Sequence, residues 1–295
     1  MAGPEGEAVW QADRDRDSLR YPGAAMKEER GDPSIARLRP AVHATLRMIA
    51  CAWPDVFAVP GYRRVIRIEP GQRRIRALLE DDLHAMVVEL RHDGARVTGI
   101  DAHMHRIPWT TCPGAELVLR DTFIGLLLAE VTARRDKQAN CTHLHDLAVL
   151  AAAHANDAGP SEYAFAVSDP CQGKRILEVR RGGAMIHSWS ERDGMLVEPE
   201  ELAGQSLLTL RDWIGGLSGA EQEAARMLQW AGVVAHGRTL SDTDKHAALF
   251  HRPSCFTMQP GHVEHAVKAA PTKDFSSGAL RPLDGLRERF ELSQS

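Results

Sequence analysis

The sequence predicts an α+β protein: an antiparallel sheet with helices packed on one face, followed by a second, smaller α+β part. Two observations point to the sheet and its helices. Residues 64 to 104 alternate in apolar character around turn residues, and residues 115 to 156 then carry long Ala- and Leu-rich runs. A third points to the second part, because alternation returns beyond Pro160. With 295 residues, 43% of them hydrophobic, the chain is long enough to bury a sizeable core. The expected layout is a disordered or loosely attached arm over 1–38, a first domain over 39–158, a second part over 159–270 and an irregular tail over 271–295.

The arm is expected from its charge and its Gly and Pro content. A short apolar segment from Ala41 to Trp53 predicts a helix, and Arg64 to Ile68 and Arg74 to Leu79 predict strands. Leu83 to Leu90 and Ala95 to Met104 read as a β-hairpin, with Asp93-Gly94 supplying the positive φ of a tight turn. A two-residue loop there would set His84 opposite His103 and Asp82 opposite His105. The apolar positions Leu117, Leu119, Phe123, Leu126, Leu127 and Val131 predict one helix, with Cys112 at or just before its start, where the helix dipole favours a thiolate. A second helix is expected over Leu144 to Asn156, with Thr142 as its N-cap. Strands follow at Tyr163 to Val167, Arg175 to Val179 and Ala184 to Ser190, the last two joined through Arg181-Gly182-Gly183. Helical segments close the series at Ser206 to Leu217 and after Ser218, which has capping-box spacing to Glu221.

Charge and composition exclude several function classes. The net charge is -4, from 36 basic and 40 acidic residues mixed along the chain, so no polyanion-binding footprint stands out and nucleic acid is not an expected partner. No apolar run of membrane length and no secretion signal occurs, which predicts a cytoplasmic protein without a membrane partner. Five scattered cysteines argue against a disulfide framework and read as thiols. Gly-rich phosphate loops and a nucleophile elbow are missing from the sequence. Asp169-Pro170-Cys171-Gln172-Gly173 reads as a turn. Trp189, Trp213, Trp230 and Phe256 are core by default and pocket residues at most.

The residues suited to chemistry are Cys112, Cys141, His143, His145 and His84, whose donor types fit zinc or iron. If Cys141 lies in the turn before its helix, His143 is the better partner for it, and if Cys141 is helical, His145 is. Against these readings, buried cysteine is common in cores, and 14 histidines cluster by chance.

The runs Asp81-Asp82-Leu83-His84-Ala85-Met86, Pro108 to Ala115 and Cys141-Thr142-His143-Leu144, with Trp189 and Cys255 to Pro260, resemble an uncharacterised bacterial family, domain of unknown function 2889. In architecture the chain is more distantly similar to the iron-sulfur scaffold proteins, in which three cysteines with neighbouring Asp or His hold zinc or a nascent cluster. That resemblance matches Cys112 and Cys141 to two thiols and sets Asp81, Asp82 and His84 near the place of the third. It implies a mixed Cys/His/carboxylate site, better suited to zinc or mononuclear iron than to a cluster.

The expected function is a metal-dependent lyase or hydrolase acting on a hydrophobic or aromatic small molecule. Cys112, Cys141, His143 and His84 are the expected metal ligands, and Asp82, His84 and His103 the expected catalytic residues. A metal or iron-sulfur carrier and a structural zinc module are the alternatives. The expected partners are a small-molecule substrate and, at most, further copies of the chain.

Overall fold

The computed structural model describes residues 55–135, 137–239 and 254–286. The expected arm over 1–38 and the helix over 41–53 lie outside the described residues. The strands are β1 (Gly61–Gly71), β2 (Arg74–Asp81), β3 (Ala85–His92), β4 (Val97–Arg106), β5 (Ser161–Ser168), β6 (Lys174–Arg181), β7 (Ala184–Arg192) and β8 (Met195–Glu198). They form one antiparallel sheet in the order β4-β3-β2-β1-β5-β6-β7-β8. The α+β class is as expected. The two expected parts, however, share this single sheet, because β1 pairs with β5 from Gly61 opposite Ser168 to Ile68 opposite Ser161.

Among the described residues the helices are α1 (Ala115–Phe123), α2 (Leu128–Ala133), α3 (Thr142–Ala153), α4 (Arg211–Gly216) and α5 (Gly219–Ala235). Strand alternation sends Tyr62, Ile66 and Ile68 of β1 and Ile75, Ala77 and Leu79 of β2 into one core with Leu144, Leu147 and Ala148 of α3 and Leu228 of α5. A smaller cluster on other sheet residues joins Leu78, Ala85 and Val87 to Leu286. Part of the tail, expected to be irregular, therefore carries a buried anchor.

Three local expectations are corrected. The Asp93 carboxylate accepts from the Ala95 and Arg96 amides, and Asp93 N–H donates to the Arg96 carbonyl, which widens the loop beyond Asp93-Gly94. The register moves with it: His103 stands opposite Val87, and His84 lies in the β2–β3 turn. The single helix expected through Val131 is two, because Gly125 takes a φ of 89° and its N–H donates to the Val97 carbonyl. The N-cap of α3 is Cys141 rather than Thr142, which is already helical.

The capping box expected at Ser218 is not formed, since Ser218 makes no side-chain cap bond, and the helical segment expected over Ser206 to Leu217 is a 3-10 turn at Leu207–Thr209 followed by the short α4. Gly182 and Gly183 both have positive φ in the β6–β7 turn, and Gln172 and Gly173 do so after Cys171. Cys171 is nevertheless disulfide-bonded, which corrects the reading of every cysteine as a thiol. Cys112, Cys141 and Cys255 are free.

Candidate functional site

The site grows from the pairing of β1 with β2, which sets Arg64 opposite Asp81. Arg64 Nε and Nη2 donate to Asp81 Oδ2 at 3.0 and 2.8 Å, and the Tyr62 hydroxyl donates to the same oxygen at 2.6 Å. The chain then turns at Asp82 and Leu83, so that Leu83 N, His84 N and His84 Nδ1 reach Asp81 Oδ1 at 2.8, 2.7 and 3.0 Å. Burial alone would raise the Asp81 carboxyl. His84 and Arg64 outweigh it and hold the group well below the usual carboxylate range.

This carboxylate fixes the histidines. The bonding pattern assigns Nδ1–H of His84 to Asp81 and turns the Nε2 edge of the ring away from that carboxylate. The His143 ring lies against it, centroids 3.9 Å apart. Arg64 Nη2 approaches His143 Nε2 to 3.1 Å, and since a guanidinium only donates, that nitrogen accepts and the ring is neutral. Burial, then His84 and Arg64, push the His143 imidazole well below its ordinary value.

Asp81, His84 and His143 offer ligand atoms within 4.8 Å of one another, the one such group among the described residues. By donor type the set suits a divalent cation. By availability it does not, because Asp81 already accepts six hydrogen bonds where two carboxylate oxygens offer about four lone-pair sites. Arg64 also occupies the His143 nitrogen and adds a positive charge there. A cation would have to displace it.

The other expected site residues lie elsewhere. Asp82 is tied by the Arg63 amide at 3.3 Å and by an ion pair with Arg238, which also holds Asp169 and Asp274. Burial pushes the Asp82 carboxyl up to about 7 against the pull of Arg238. His103 sits on β4 with its ring centroid 6.4 Å from that of His105. Cys112 begins a 3-10 turn before α1, where the Thr257 hydroxyl donates to its sulfur at 3.4 Å. Burial raises both the Cys112 and Cys141 thiols, the reverse of the thiolate expected at a helix start. Neither cysteine belongs to the Asp81/His84/His143 group. His145 is buried against Phe123, ring centroids 5.1 Å apart, as a core residue.

Tyr62 and Arg64 were not foreseen. Their signal is nonetheless in the sequence, where Tyr62-x-Arg64-x-Ile66-x-Ile68 puts one arginine into an otherwise apolar strand face. Beside the histidines runs a narrow crevice lined by Arg64, His143, Leu147, Leu150, Met227 and Trp230. At its rim Lys137 Nζ bonds both Asp146 oxygens at 2.9 and 2.7 Å and stacks on Trp230 at 4.0 Å.

No family model, curated protein or solved structure matches this chain, so its function is argued from the residues themselves.

Proposed function

We propose that the chain is an enzyme acting on a small molecule, a lyase or hydrolase, with His84 and His143 as its proton-transfer groups. The observation behind this reading is the relay from Arg64 and Tyr62 through Asp81 to His84, whose ring lies tilted against a neutral His143 at the edge of a crevice. A buried anion that sets the tautomer of one imidazole beside a second imidazole is the arrangement that general acid–base chemistry needs. The apolar crevice walls favour a hydrophobic or aromatic substrate. A screen of the purified protein against aromatic esters, amides and β-substituted carbonyl compounds tests it. His84→Gln and His143→Gln are each expected to lower the turnover found by about 100-fold or more while leaving the circular dichroism unchanged. Turnover that survives both substitutions would remove the reading.

The proximity of the Asp/His/His ligand atoms favours a second form, in which a zinc or iron ion occupies the group after Arg64 withdraws. It predicts that EDTA abolishes turnover and that zinc or iron restores it. Arg64→Gln should then bind zinc at least tenfold more tightly than the native chain in calorimetry. EDTA-resistant turnover assigns the chemistry to the histidines alone.

A further inference from the structure

We infer that Arg64 is a substrate-contacting residue and that the group it receives is the oxygen of a neutral carbonyl compound carrying an apolar body, a proposal that rests on the enzymatic reading above. Arg64 is 2% exposed. Its Nε and Nη2 are committed to Asp81 and His143, while Nη1 makes no hydrogen bond to the described residues although Arg64 lines the crevice. Nη1 is not one of the sealed side-chain atoms that lack a partner, so it keeps an outlet on the crevice side, where it is placed to donate to an entering acceptor.

Charge decides which acceptor. Arg64 is balanced by Asp81 and Lys137 by Asp146, and His143 is neutral, so the crevice holds no uncompensated positive charge for an anionic ligand. Moving a carboxylate out of water into such a place is penalised without return. A carbonyl oxygen enters without formal charge and gains negative charge only as its carbon is attacked or a neighbouring proton is removed. That is when a fixed guanidinium N–H helps most. Leu147, Leu150, Met227 and the Trp230 ring are placed to hold the apolar remainder.

Benzamide and benzoate are the probes, titrated into the full chain and followed by the arginine side-chain ¹⁵N resonances and by tryptophan fluorescence. Benzamide is expected to shift the Arg64 resonances and to bind at least tenfold more tightly than benzoate. Arg64→Lys, which keeps the charge beside Asp81 and removes Nη1, should weaken benzamide at least tenfold. If that variant does not fold, Leu150→Phe, which narrows the crevice and leaves the Arg64–Asp81 pair intact, should give the same loss. Equal or tighter binding of benzoate, benzamide binding that ignores the variant used, or no binding of either probe overturns the proposal. Loss of turnover in the histidine variants together with a benzoate preference would overturn this inference alone and leave the enzymatic reading standing.

Discussion

At the scale of single residues the molecule is organised by one carboxylate. Asp81 is fully buried, and its partners converge from β1 and from the β2–β3 turn. Asp81→Ala would leave the Arg64 guanidinium buried without its counter-charge, so a loss of about 3 to 5 kcal/mol is expected in urea unfolding. A loss below about 1 kcal/mol would show that water or another acceptor takes over the role. Leu147→Ala removes a fully buried side chain of the shared core beside the crevice, and about 2 to 5 kcal/mol is expected by the same measurement. Arg64 was legible as a charge on an apolar strand face, whereas its pairing with Asp81 depends on the β1–β2 register. The two histidines were legible as residue types only. Their ring contact follows from where the β2–β3 turn meets the first turn of α3.

At the scale of elements, α3 is tied to α5 and β5 by a polar clamp at its far end. His154 bonds Asp157 through Nδ1 at 2.6 Å and Glu223 through Nε2 at 3.0 Å, and the Tyr163 hydroxyl donates to Glu223 at 2.6 Å. The Glu223 bond raises the His154 imidazole above its ordinary value even though burial lowers it. Burial raises Glu223, but its bonds to His154 and Tyr163 leave it below its ordinary value. A raised histidine stabilises the fold fully below its unfolded pKa of about 6.5, and that contribution fades as pH rises through the folded value. A depressed glutamate contributes above its unfolded pKa of about 4.3, and that contribution fades as pH falls through the folded value. The clamp is therefore strongest between about pH 4.3 and 6.5. Thermal melts should show His154→Gln losing more stability relative to the native chain at pH 5.5 than at pH 9. An equal loss at both would deny the clamp its charge. The split of the expected long helix is another matter of elements, set by an amide at Gly125 that pairs with the start of β4 rather than with its own helix.

At the scale of the whole molecule the joint between the two halves of the sheet is the pairing of β1 with β5. Gly61 begins it, and a Cβ there would lie 2.2 Å from the Val167 carbonyl oxygen, a backbone atom that cannot step aside without breaking the pair. Gly61→Ala is expected to destabilise the chain by about 2 kcal/mol or more, with faster amide exchange across β1 and β5 as the specific sign. A neutral substitution would mean that the joint flexes. No helix among the described residues is long and apolar enough to cross a membrane.

By itself the sequence determined the α+β class, most of the strands, the glycine turns and the residue types from which a site is made. These depend on local chemistry: alternation with a period of two, positive φ at glycine, and long apolar runs. Only the tertiary structure decided that the two parts share one sheet, that the hairpin register separates His84 from His103, and that the cysteines stand apart from the histidines. It also decided that Asp81 rather than Asp82 faces the imidazoles. The physical reason is that each of these depends on which distant strands and helix ends meet. A one-residue slip in register turns every side chain to the other face, and nothing local to the chain fixes it.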